Sequence, residues 1–276
     1  MVSQPTYLSN PSRKAVEDWV NHDCKAAANG SLMRTHPLGV ICLTRSLDET
    51  FHITSQYSCI THPDPRCVVA CCISVGLIRG ILRGEVTKDA HINAIITRAY
   101  QWVESWTERR AHKLGPQLES RRKLMEAAVL DEKKLMEYVF TKDLTALKLD
   151  DPKTMGYVYK ALGAAILSLR RAISSENRVA QAFDKSSTDF RLHCFHERIQ
   201  EIIMEGGDAD TNACIAGALL GAWVGYTALP PAWRDGLGHR DWLLRKCEGI
   251  CSVLGVTEGG YRGSKDPDTR IDGGVH

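Results

Sequence analysis

The 276-residue sequence is short of several things, and each absence removes a class of function. Net charge is only +2 with charged residues at 25%, so no global field calls for nucleic acid or anionic lipid. Partners must therefore be recognised locally. No Cys-x-x-Cys pair occurs among the ten cysteines, and Cys67/Cys71 and Cys247/Cys251 share the i, i+4 spacing of a helix face, a simpler reading than a zinc site. The run His193-Cys194-Phe195-His196-Glu197 lacks the His-Glu-x-x-His order and reads as helix packing. No segment sustains the apolar alternation of a strand, which makes the fold class all-α. The uncharged run 213–229 is short of the roughly 20 apolar residues of a membrane span and ends in Pro230-Pro231, so no membrane helix is expected. No secretory leader is visible at the N-terminus, and reduced thiols in a cytoplasmic or nuclear protein are the expectation.

What is present is helical. Apolar residues recur at helical spacing over 12–28, 37–57, 67–83, 88–112, 118–140, 157–173 and 189–204. The most basic stretch, from Arg109 to Lys123, has Glu108, Glu119 and Glu126 interspersed, as a solvated helix surface does. Residues 1–10 read as a frayed start and Asp150-Asp151-Pro152 as a boundary. After Pro231 a short amphipathic helix with Trp233 and Trp242 closes the domain. We expect one compact multi-helix domain over 1–254, then a flexible Gly-, Asp-, Arg- and Lys-rich tail over 255–276.

Three stretches stand apart from this background. The first, 206–230, sets Asp208 and Asp210 after a Gly206, Gly207 pair and before a long uncharged helix. Asp-x-Asp-Thr offers three hard oxygen ligands in four residues, suited to Mg²⁺ or Ca²⁺, and an elaborate helix cap with Thr211 at the N-cap is the alternative. Ala213, Gly217, Gly221 and Gly225 recur at every fourth position, which predicts a face open to close approach by another helix. The second stretch, 29–39, puts Arg34 and His36 beside an Asn29, Gly30 turn, a loop that either holds a phosphate or simply ends a helix. The third, 61–66, is a rigid turn with Asp64 between two prolines and His62 just outside.

In their order, Asn-Gly-Ser-Leu-Met-Arg-x-His-Pro-Leu-Gly at 29–39, Thr-His-Pro-Asp-Pro-Arg at 61–66 and Gly-Gly-Asp-Ala-Asp-Thr-Asn at 206–212 closely resemble the ADP-ribosylglycohydrolase family. The match runs from about residue 26 to about residue 233. The resemblance implies an all-α domain with two Mg²⁺ ions at the mouth of a cleft for ADP-ribose or an ADP-ribosylated protein, and hydrolysis of the bond at C1″ of the distal ribose. It implies Asp208, Asp210 and Thr211 as metal ligands, with Asp210 bridging both ions. It further implies that Asn29, Gly30, Ser31, Met33 and Arg34 contact diphosphate and ribose, and that His62 lines the same cleft.

The sequence also departs from the family. Members carry a catalytic glutamate at a Gly-Asp-rich helix start and a Thr/Ser-Asp-Asp triplet before the Asn-Gly loop, and neither is found here. Asp150 and Asp151 are adjacent but follow Leu149 and come after the His62 turn, the wrong context and order. No residue is therefore assigned as the catalytic acid or base, and the second Mg²⁺ site is in question. The expectation is a glycohydrolase beginning partway through its domain, with an impaired relative that only binds ADP-ribose, or serves as a helical interaction module, as the alternative.

Overall fold

A computed structural model describes residues 9–113, 130–182 and 188–261. Residues 1–8 of the predicted frayed start, the basic residues Arg121, Arg122 and Lys123, the first part of the helix expected over 118–140, and the tail from 262 lie outside these. The described residues form helices and turns, with a single isolated antiparallel bridge, Ala28 to Tyr157, and no strand among them. The all-α expectation is met.

Helix starts follow from local chemistry. Helix α1 (Pro11–Asn21) opens with Asn10 accepting the Arg13 N–H at 3.2 Å and proline in its first turn. It ends earlier than its sequence pattern suggests, because Asp23 and Cys24 take positive φ and turn the chain. Two short helices follow, α2 (Leu32–Thr35) and α3 (Pro37–Ile41). Helix α4 (Leu47–Cys59) starts at a Ser46/Glu49 capping box, so the single helix predicted over 37–57 is broken at Cys42 to Ser46. Helix α5 (Pro65–Leu82) starts on Asp64, whose carboxylate accepts the Arg66 N–H at 2.8 Å. Next come α6 (Asp89–Lys113), α7 (Glu132–Val139), α8 (Val158–Ala182), α9 (Thr188–Met204) and α10 (Ala209–Val224).

The chain divides into two compact units, Met1–Leu229 and Pro230–His276. Within the first, α5 is buried on every side, from Cys67 through Gly80. By length and composition α5 is apolar enough to cross a membrane, but 83% of it is enclosed by the fold, as in a core helix. Helices α4, α6 and α10 pack around it, and α8 lies between α7, α9 and α10. The second unit, within the stretch expected to belong to one domain, holds α11 (Pro231–Asp235) and α12 (Arg240–Val253). These are two helices where the sequence suggested one, separated at His239, which adopts positive φ. Cys247 and Cys251 lie on α12, and Cys67 and Cys71 on α5.

Helix α10 corrects two expectations. Its N-cap is Asp208, with Thr211 already inside the first turn. Among the described residues no helix comes close to its small-residue face: a Cβ at Gly217 would come no nearer than 3.9 Å, to Ile199 of α9, and one at Gly221 would meet nothing within 4 Å. The buried face is instead Ile215, Ala216, Leu219, Leu220 and Trp223, the large residues one position round the helix. Gly221→Ala is thus expected to raise stability by about 0.5–1 kcal/mol, since alanine restricts the unfolded chain and favours helix. Chemical denaturation measures this, and a loss of stability would mean that the face is occupied after all.

Candidate functional site

The three stretches singled out in the sequence meet at the start of α10. The Asn29 loop is fixed first, by backbone: Asn29 N–H donates to the Gly156 carbonyl at 3.0 Å, and Val158 N–H to the Ala27 carbonyl at 3.0 Å. These bonds join the loop to the first residues of α8. Buried Asn29 then reaches across, its Nδ2 donating to Asp208 Oδ2 at 2.7 Å. The N-cap carboxylate consequently makes no side-chain capping bond to its own helix. Normally an aspartate here would satisfy a free helix N–H.

Asp210 Oδ1 accepts the N–H of the next residue, Thr211, at 2.8 Å. Among the described residues neither Asp208 nor Asp210 has an ion-pair partner. Two carboxylates two residues apart thus stand at the positive end of a helix macrodipole, favourable for negative charge and free to take a cation. Thr211 Oγ1 points to Met33 Sδ at 3.7 Å, and Cys214 Sγ to the Met33 carbonyl at 3.5 Å, so the 29–39 loop lies over the first turn of α10. Burial, then the charge of Asp210, pushes the Cys214 thiol above its ordinary range. Asn212, the residue after Thr211, is fully buried, and neither end of its amide has a hydrogen-bond partner among the described residues. Leaving such groups dry and unpaired costs about 1–3 kcal/mol each.

His62 stands on the other side of the loop. A Cβ on Gly30 would come within 3.1 Å of its ring, so the glycine allows this approach. The ring Nδ1 shares a hydrogen bond with Thr61 Oγ1 at 2.7 Å, and burial followed by the nearby Arg34 charge holds His62 below its usual pKa, in the neutral form. Arg34 is exposed; its guanidinium is anchored by the Tyr57 carbonyl at 3.2 Å and by Thr61 Oγ1, and no carboxylate pairs with it among the described residues. Ser31 differs from its neighbours. It is fully buried, bonded to Ser58 at 3.2 Å and Cys71 at 3.4 Å, so its hydroxyl belongs to the core.

The turn before Asp208 is held from an unexpected quarter. Gly206 and Gly207 have φ of 73° and 66°, and a Cβ on Gly207 would lie 2.0 Å from the Leu149 carbonyl oxygen. Leu149 and Asp150 thus sit against the turn, although the sequence reading set the Asp150, Asp151 pair aside. Lys148, with φ 48°, makes the bend, and buried Lys160 donates to its carbonyl. Burial lowers the Lys160 pKa, and Asp151 and Asp150 oppose that shift. Asp151 spends its carboxylate on the Lys153 N–H and the Thr154 hydroxyl, at 3.0 and 2.7 Å. Among the described residues no three His, Cys, Asp or Glu side chains gather as metal ligands, and His193 and His196 lie on α9 beside buried Cys194 and Phe195.

The sequence profile of ADP-ribosylglycohydrolases matches residues 3–260. The chain belongs to that family. Over 252 residues it is 22% identical to ADP-ribosylarginine hydrolase Tri1 of Serratia proteamaculans, a match covering 87% of this chain and 53% of that protein. Over 51 residues it is 47% identical to a protein of Acanthamoeba polyphaga mimivirus provisionally named an ADP-ribosyl glycohydrolase, covering 18% of this chain and 14% of the relative. The chain thus spans about half the length of the first relative and far less of the second. Family membership accounts for the order of the three motifs.

Proposed function

We propose that the chain binds ADP-ribose, free or attached to protein, between the 29–34 loop and the start of α10, and hydrolyses the glycosidic bond at C1″ of the distal ribose with Mg²⁺ bound. The observation that carries this is the convergence of Asn29, Met33, Arg34, His62, Asp208, Asp210 and Thr211 from three distant stretches. The donor set fits the ion: Mg²⁺ commonly takes one or two carboxylates, completing an octahedral shell with water and substrate oxygens. Asp208, Asp210 and the Thr211 hydroxyl hold it. When bound it orients ribose hydroxyls and stabilises charge as the glycosidic bond breaks.

The side chains divide the remaining work. Asn29 fixes the Asp208 carboxylate by its amide and leaves the other oxygen for the cation. Arg34, unpaired with any described carboxylate, faces the diphosphate as a charge-assisted donor. Neutral His62 offers one ring nitrogen to a ribose hydroxyl, the other being engaged with Thr61. A second reading, a relative that binds ADP-ribose without turning it over, is favoured by one observation: no third acidic side chain joins the two aspartates among the described residues.

Calorimetric titration of ADP-ribose with Mg²⁺ tests the site, and release of ADP-ribose from ADP-ribosylated protein separates the readings. Binding is expected to require Mg²⁺ and to fall at least 100-fold in Asp210→Asn. Undiminished binding in the variant would remove the metal assignment. Binding with no release supports the second reading.

A further inference from the structure

Away from this site, a cleft of about 650 Å³ opens where the second half of α8 meets the turn after α7 and the middle of α9. Arg170 lies about 15 Å along α8 from Lys160, taking roughly 1.5 Å per residue, so the cleft shares a helix with the candidate site but none of its residues. The volume falls in the range of small-molecule pockets.

Its lining is cationic. Lys142, Arg170, Arg171 and Arg198 contribute four positive charges against one lining carboxylate, Asp89. Asp89 is already taken, by Arg170 Nη1. Arg170 also donates to Asn93 at 2.6 Å and stacks 4.7 Å over Phe140, yet its buried Nε has no hydrogen-bond partner. Arg171 and Arg198 share a single oxygen of Glu201, at 3.7 and 2.9 Å, and Arg198 reaches Glu197 only at 3.5 Å. Lys142 has no ion-pair partner among the described residues. Arg171 also donates to the Lys142 carbonyl at 2.9 Å, and the three acids in reach, Asp89, Glu197 and Glu201, leave the four cations in excess; an anion would relieve this, and the planar fork of arginine matches phosphate oxygens. Phe140 and Leu167 add an apolar wall that a bare phosphate would leave uncovered.

We propose that this cleft is a second binding site, for a small organic phosphate, with Lys142, Arg171 and Arg198 on the phosphate and Phe140 and Leu167 against its apolar part. Arg170 is the fixed floor.

Orthophosphate and phenyl phosphate, titrated calorimetrically into the full chain without Mg²⁺, test it. We expect one equivalent of phenyl phosphate to bind at least tenfold more tightly than orthophosphate, more weakly as salt is raised. Lys142→Gln/Arg171→Gln should lose tenfold or more for each cation removed, with an unchanged thermal melt, and exposed Lys142→Gln alone gives the same direction should the double variant fail to fold. Asp210→Asn should bind phenyl phosphate like the wild type, so a failed Mg²⁺ site and a failed cleft give different results. No saturable binding, equal affinity for both probes, or wild-type affinity in Lys142→Gln would overturn the proposal.

Discussion

Gly207→Ala is expected to lose about 3 kcal/mol or more. A non-glycine residue at φ 66° costs about 1–2 kcal/mol from left-handed backbone alone. The larger part comes from contact, because the new Cβ would sit 2.0 Å from the Leu149 carbonyl oxygen and 3.0 Å from the Asp150 Cα. Those atoms are backbone and cannot swing aside as a side-chain tip can. Relief requires the Lys148 to Asp150 bend or the turn before Asp208 to shift, and either movement strains the Asn29 to Asp208 hydrogen bond. Denaturation and ADP-ribose binding should therefore fail together in this variant. Near-normal stability would show that the two loops are not in contact.

Asp64→Ala should be as damaging, by a different route. Asp64 is fully buried and accepts four hydrogen bonds: from Trp19 Nε1 at 3.0 Å, from the Arg66 N–H at 2.8 Å, and from Arg66 Nε and Nη2 at 2.9 and 2.7 Å. The Asp64 hydrogen bonds hold the Arg66 guanidinium well above its usual pKa. Removing the acid strands a half-buried cation and an indole N–H, which in comparable pairs costs roughly 3–5 kcal/mol. Helix α1 depends on this anchor, since its own apolar cluster of Trp19, Val20 and Cys24 is separate from the main core. Asp48→Ala is the control: the Asp48 to Arg98 pair is about half exposed on both sides, and its loss should cost no more than about 1 kcal/mol. Urea melts followed by tryptophan emission compare the two. Equal small effects would remove Asp64 from its assigned role.

Much of the fold was legible because helices advertise themselves by period. Helices α5, α6 and α9 begin and end close to where their apolar spacing and flanking residues place them, and α8 begins there but runs on to Ala182, past the expected end at 173. Breaks were less visible. The turn at Asp23 and Cys24 depends on positive φ at two successive residues, and only the aspartate has any tendency toward it. The glycines of α10 show a limit of pattern reading: a four-residue repeat says which residues share a face, not what stands opposite. For Thr211 the error was in choosing among three capping residues within four positions, and Asp208 won the cap while giving its side chain to Asn29.

The candidate site was legible mainly through family likeness. Nothing local to Asn29 points to Asp208, nor to Leu149 as the neighbour of Gly207. Asp150 could not have been ranked from its position in the sequence, because the bend at Lys148 brings it there. Asn212 was within reach: it directly follows Asp-x-Asp-Thr, and a polar residue on the buried side of an apolar helix is a signal in itself.

The bond from Asn29 to Asp208 spans 179 residues of sequence. Any fragment that keeps both partners must therefore retain the intervening chain, including all of α5 and α8. Dissection into peptides or short subdomains will destroy the site before it locates it, and a crossover between relatives placed anywhere between the two residues will pair an Asn29 loop from one parent with an α10 from the other. For this architecture the smallest unit that can be exchanged with its chemistry intact runs from the Asn29 loop to the first turns of α10.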